Sequence, residues 1–196
     1  MKLITRLESG DGIKYTSGCM HPDGFIYIAG TSDGKVIVWD LKTQAVAGTL
    51  SGHDGSSVDC VAISENGYHV ASSTSASANS PIHIWDLRKL KLSATVTPTD
   101  VGAVTSVAFD PTATYLAYSG DEATKVCVAK DWDRVLCTLT PSKSGKKGKK
   151  AAGNGLKGGV AWGGQGFGLK EGEGGKVWLA TGCDGERPVR FWGVEE

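Results

Sequence analysis

Four histidines, five cysteines and a nine-residue stretch holding five lysines are the residues of this 196-residue chain with the widest chemical range. Their spacing decides what each can do. Cys19, Cys60, Cys127, Cys137 and Cys183 are odd in number and widely spread, with no Cys-x-x-Cys, so neither a disulfide framework nor a zinc site is expected and the thiols should be buried. His21, His53, His69 and His83 stand in no Gly-x-Ser-x-Gly or His-Glu-x-x-His context. Ser144-Gly-Lys-Lys147 matches Ser-x-x-Lys in letters only, without its companion motifs. No catalytic residue, metal ligand or cofactor site is therefore assigned. In SKSGKKGKK, Lys143, Lys146, Lys147, Lys149 and Lys150 form a basic patch of the kind that serves nuclear localisation or contacts RNA phosphates. No aromatic residue is interleaved to stack on bases, so a solvated linker is the expectation and direct nucleic-acid binding is not. The Gly-x-Gly-x-Gly in GGQGFGLKEGEGG would need a helix directly after it to cradle a phosphate; a strand pattern, KVWLATG, follows instead, and a hairpin loop is expected.

The elements that carry these residues repeat. VIVWD (36–40), IHIWD (82–86), VCVAK (126–130) and VRFWG (189–193) align as copies of one strand. Upstream of each stands a segment ending in a tight turn: CMHPDG (19–24), AISENG (62–67), AFDPTA (108–113) and AWGGQG (161–166). Between turn and Trp strand lie FIYIAG, YHVASS, TYLAYSG and VWLATG, rich in β-branched and aromatic residues and without helical period. AVAGTL, LSATV and RVLCTL follow the first three Trp strands. Each unit predicts a four-stranded antiparallel meander of about 40 to 45 residues, the size of a propeller blade. The third strand is almost continuously apolar, as a strand covered on both faces must be. No apolar run approaches the ~18 residues of a membrane span and MKLITRLESGDG has no signal-peptide core, which predicts a soluble, intracellular chain. Net charge is zero, yet with the five clustered lysines set aside 16 basic residues face 21 acidic ones. The body is mildly acidic and the basic charge is concentrated in one loop.

The repeat resembles the WD-repeat β-propellers. Trp39-Asp40 and Trp85-Asp86 match the name-giving pair, Gly52-His53 the Gly-His that precedes a repeat, and Asp33-Gly34 the turn entering the Trp strand. The resemblance implies a buried hydrogen-bonded chain of turn Asp, His, a second-strand Ser or Thr, and Trp. His53 and Trp85 are expected to share one with Ser72 or Ser73, while the turn Asp is replaced by Asn79 in blade two, Ala129 stands in the Trp place of blade three, and Trp192 is reached by a longer turn. Read at greater length, HPDGFIYIAG, AISENGYHVA and IWDLRKLK resemble the C-terminal propeller of the pre-mRNA-processing factor 19 family. That implies a nuclear scaffold, in pre-mRNA splicing, ubiquitination and DNA repair, that receives spliceosomal subunits and ubiquitination substrates. The family's U-box, which makes it a ubiquitin ligase, and its tetramerising coiled coil are matched by no residue here, so no ligase activity is carried over. A general WD-repeat adaptor of another complex is the alternative.

The expected fold is all-β, a partial WD-repeat propeller of about four antiparallel blades. Its parts are 1–12, a leftover outer strand of a preceding blade; 13–50, blade one; 51–98, blade two; 99–141, blade three; 142–155, a Lys/Gly-rich linker; and 156–196, blade four without its outer strand. Such a chain is expected to form an open arc and to be a fragment of something longer.

Overall fold

The computed structural model describes residues 5–8, 10, 12–140, 158–163, 177–183 and 190–194. Within them the chain is built of strands. The first sheet runs β1 (Tyr15–Met20), β2 (Ile26–Thr31), β3 (Lys35–Asp40) and β4 (Ala45–Ser51); the second runs β5 (Cys60–Ile63), β6 (His69–Ser73), β7 (Ile82–Asp86) and β8 (Lys91–Val96). The third holds β9 (Val104–Phe109), β10 (Tyr115–Gly120), β11 (Thr124–Val128) and β12 (Asp131–Leu139), and the fourth is three-stranded, β13 (Gly158–Gly163), β14 (Val177–Cys183) and β15 (Arg190–Val194). Every neighbouring pair within a sheet is antiparallel and consecutive in sequence. These are the meanders of a β-propeller, and no described helix is long and apolar enough to cross a membrane.

The first turn of each blade shows why the chain reverses where it does. Gly24, Gly67 and Ala113 occupy one place, each donating its N–H three residues back, to His21, Ser64 and Asp110, and each in the left-handed region at φ 74°, 73° and 56°. Asp23 Oδ1 and Asn66 Oδ1 then accept the backbone N–H two residues on, at 2.8 and 3.0 Å. Glycine adopts this conformation freely, whereas alanine at position 113 holds it against steric cost.

Sheets pack face to face in chain order, β1 against β5, β5 against β9 and β9 against β13. Ile28, Val36, Val38, Leu50, Val58 and Trp85 fill the first junction. Ile82, Ile84, Val104, Leu116 and Tyr118 belong to the second, and Ala117, Val126 and Leu179, with Trp162 and Trp192, to the third. The middle strands are buried along nearly their whole length, β7 without a break, while Val46, Leu92, Val135 and Leu136 on the outer strands are exposed. Each fully buried aliphatic side chain contributes on the order of 1.5–3 kcal/mol, so cohesion lies between sheets and not along their rims.

Two expectations change here. Cys127 is buried and Cys19 and Cys60 half-buried, but Cys137 is exposed, because it lies on the outer strand β12. Of the expected N-terminal outer strand 1–12, the described residues 5–8, 10 and 12 carry no strand; Thr5 Oγ1 bonds Gln44 Oε1 at 3.1 Å, beside the β3–β4 turn.

Ala113→Gly should raise the unfolding free energy by about 0.5–1 kcal/mol, because it relieves a left-handed alanine. The reverse change, Gly67→Ala, adds a methyl that would meet His21 Nε2 at 2.5 Å and should lower it. Paired thermal melts of the two variants check both signs.

Candidate protein-binding rim

Blade two holds the most complete polar chain in the interior. Trp85 Nε1 donates to Ser72 Oγ at 2.7 Å, and the same oxygen lies 2.8 Å from His53 Nε2. An indole can only donate, so the hydroxyl accepts from it, and the same hydroxyl links it to the imidazole. The other ring nitrogen, Nδ1, is buried without a partner. Asn79, which stands where blade one has Asp33, is exposed, and its backbone N–H goes to Gly102 of the next blade. The chain therefore ends at His53. Its ring is instead stacked on His83, centroids 4.5 Å apart, and His83 Nδ1 is likewise buried without a partner. Burial, and then the neighbouring His83, pull the His53 pKa from 6.5 down to about 4, against the opposing pull of Asp54.

Strand register explains why the other blades lack this chain. Trp39 pairs across the sheet with Tyr27, Trp85 with Val70 and Trp192 with Leu179. Counting from these pairs, the Ser72 position is Ala29 in blade one and Thr181 in blade four. Trp192 Nε1 accordingly donates to Thr181 Oγ1 at 3.0 Å, whereas Trp39 Nε1 is buried with no acceptor. Asp33, with no histidine to meet, takes the Thr31 hydroxyl at 2.6 Å and the Lys35 ammonium at 2.6 Å, and these hold its carboxyl below the usual range, Lys35 first.

In blade three the Trp position is Cys127, and not Ala129 as letter alignment suggests. Cys127 pairs with Leu116 as Trp85 pairs with Val70, and the outer-strand irregularity that falls between Val38 and Trp39 and between Ile84 and Trp85 falls between Val126 and Cys127. The two-residue slip was hidden because VCV and VIV read alike, and a short apolar run carries no register mark of its own.

The corrected register exposes a repeated feature of the rim. The β3–β4 and β7–β8 turns are each held by the Asp of Trp-Asp: Asp40 Oδ1 accepts the Lys42 and Thr43 N–H at 2.8 and 3.2 Å, and Asp86 Oδ1 those of Arg88 and Lys89 at 2.9 and 3.3 Å. These bonds keep both carboxyls low, in Asp86 led by the Arg88 side chain, whose Nη2 lies 3.1 Å from Oδ2. The cation two residues after each Asp lies over an aromatic ring from the first turn of its blade, Lys42 Nζ 3.7 Å from the Phe25 centroid and Arg88 Cζ 4.5 Å from that of Tyr68. Both rings are about half exposed, at 48% and 46%. Leu41, Leu87 and Ala129 each donate to the carbonyl at the end of that first turn, but Val128 pairs with Asp131 where Asp40 pairs with Ala45, so the third turn is two residues shorter and Lys130 stands in its left-handed position at φ 75°. The lysines of 142–150 and the glycine-rich 164–175 lie outside the described residues.

Ser72→Ala should cost about 1–3 kcal/mol, since it leaves Trp85 Nε1 and His53 Nε2 buried without partners, while Ala29→Ser gives Trp39 an acceptor and should not lower stability. A folded-state pKa held below the unfolded one makes the neutral form the stabilising one. Stability contributed by neutral His53 should thus be complete above pH 6.5 and be lost as pH falls toward about 4, a slope that melts across this window measure and that His53→Gln should flatten.

The family model for the WD domain, G-beta repeat, matches residues 3–40 and 45–86. Pre-mRNA-processing factor 19 homolog 2 of Arabidopsis thaliana is 32% identical over 142 residues, 71% of this chain and 26% of that protein; Pre-mRNA-processing factor 19 of Oryza sativa subsp. japonica is 38% identical over the same shares. The chain thus spans about a quarter of the length of these relatives. Among solved structures, the RRP9 WD40 repeats superpose with a TM-score of 0.64 at 19% identity over 91% of this chain and 53% of that one, and a chain of the mitotic checkpoint complex with 0.64 at 21% over 89% and 46%. Those likenesses speak to the fold, and each covers about half of the solved chain. The chain therefore belongs to the WD-repeat propellers and, within them, matches the WD portion of the pre-mRNA-processing factor 19 family.

Proposed function

We propose that this chain is a protein-binding scaffold of pre-mRNA processing, acting in the nucleus as the partner- and substrate-receiving propeller of a ubiquitin ligase assembly. The observation that carries this reading is identity of 32–38% with pre-mRNA-processing factor 19 proteins over 71% of the chain, well beyond the Trp-Asp repeat itself. The geometry agrees with binding: chemistry-bearing residues of the interior are spent on holding sheets together, and the groups left facing solvent are turn residues on the rims, where propellers meet partners. The blades 13–50, 51–98, 99–141 and 156–196 are the proposed binding units. Ubiquitin transfer, and a part in DNA repair, belong to the assembly and would reach the chain through what it holds.

Affinity purification of the tagged native polypeptide from nuclease-treated nuclear extract tests this. Enrichment of splicing proteins together with ubiquitin-conjugating activity is the expected result. Recovery from a complex outside the nucleus, free of splicing proteins, would instead assign a general WD-repeat adaptor.

A further inference from the structure

Blade one passes to blade two through residues 52–57, and this connection is held by very little. Just beyond it Val58 is fixed to blade one: its N–H donates to the Thr31 carbonyl at 3.0 Å, and its carbonyl accepts the Thr16 and Ser17 hydroxyls at 2.6 and 2.8 Å. Within 52–57, among the described residues, one hydrogen bond reaches another part of the chain, from the His53 side chain to Ser72 of blade two. That ring is 4% exposed and lies on His83, itself 7% exposed. Gly52 closes over the same place, so near that a methyl on it would meet His83 Nδ1 and Trp85 Cη2, each at 3.0 Å.

The connection from blade two to blade three is built alike, without an imidazole. Thr99 stands three residues past the buried Val96 as His53 stands past the buried Leu50, and the residues that follow, Asp100 and Asp54, are both left-handed at φ 53° and 46°. With Cys127 in the Trp place, Lys125 takes the His83 position, and its ammonium donates to Thr99 Oγ1 at 3.0 Å. A side chain of the connection thus meets the third strand in both blades, and in blade two both partners are histidine.

Charge around the two rings is sparse. Asp54 acts on both from the exposed side of the connection; Asp33 and Lys35 of the β2–β3 turn are paired with each other at 2.6 Å; Asp59 accepts the N–H and hydroxyl of Ser75. His69, Asp86 and Lys91, the titratable ends of β6, β7 and β8, lie at the opposite rim. An imidazolium carries N–H on both nitrogens, and each Nδ1 is buried without an acceptor. Burial accordingly holds both rings below the usual imidazole range, His83 adding to it for His53 and Asp54 opposing it for each. A second proton would also face the first across 4.5 Å.

We propose that the His53–His83 stack is a proton-operated pin, and that protonation in mild acid releases residues 52–57 from blade two while the sheets stay folded. Release carries His53 into water, where its cation is solvated, and uncovers His83 and Trp85 at the junction of blades one and two. Opening stops at Val58, whose bonds to blade one involve no titrating group.

Backbone 15N order parameters of the full chain from pH 7 to pH 4, with histidine ring carbon–proton shifts recorded on the same samples, test this. Order parameters of 52–57 should fall below about 0.6 as the His53 ring takes up its proton, while those of 97–102 and of the strands stay near about 0.85. His53→Gln keeps an amide for Ser72 and cannot titrate, so its connection should remain ordered at pH 4. Rings that protonate while 52–57 keeps its order, an equal loss at 97–102 or along the strands, or the same loss in a folded His53→Gln chain would each overturn the proposal. Should His53→Gln not fold, the comparison of the two connections in the wild type decides alone.

Discussion

A β-sheet whose central strands are apolar on both faces must have another sheet on either side, and nearly every other feature of this molecule follows from that requirement. Ile82, Ile84 and Trp85 on β7 are all buried, and they are buried from two directions, Trp85 toward the first sheet and the two isoleucines in the cluster shared with the third. Such a strand cannot sit in an isolated hairpin or at the surface of a sandwich. Successive meanders stack because each supplies the cover its neighbour lacks.

Since apolar cover supplies the cohesion, the polar chain inside each blade is free to vary. Blade two links Trp85, Ser72 and His53; blade four keeps the Trp192–Thr181 bond; blade one leaves Trp39 Nε1 unsatisfied; blade three has Cys127 and no indole. Leaving a buried donor unpaired costs about 1–3 kcal/mol, comparable to one buried aliphatic side chain, while a strand carries several of those, so a blade tolerates the loss of the bond more readily than the loss of its strand. The stacked His53–His83 pair lies in this same blade two, whose turn Asp is replaced by Asn79.

Turn chemistry links the fold to its outer surface. The Asp after each Trp holds the outer turn by accepting backbone N–H groups, and in doing so it sets the next residues, Lys42 and Arg88, over rings contributed by a different turn of the same blade. A structural carboxylate thus decides where a surface cation stands. Repetition of the blade then repeats the cation at intervals that no local stretch of chain would produce.

Much of this was legible in the residues themselves. The spacing of the Trp-Asp pairs, the turn residues and the unbroken apolar third strands determined an all-β propeller built of four meanders, because hydrophobic period and turn stereochemistry are local properties. HPDGFIYIAG, SENGY and DLRKLK were enough to point to the family. Register and pairing were not local. That Cys127 and not Ala129 takes the Trp place, that Ser72 and not Ser73 joins His53 to Trp85, that Ala29 leaves Trp39 without an acceptor, and that Phe25 lies beneath Lys42 all depend on which residue faces which across a sheet. A one-residue slip of a strand exchanges its two faces while barely changing the composition of the run, so only packing in three dimensions selects among the registers.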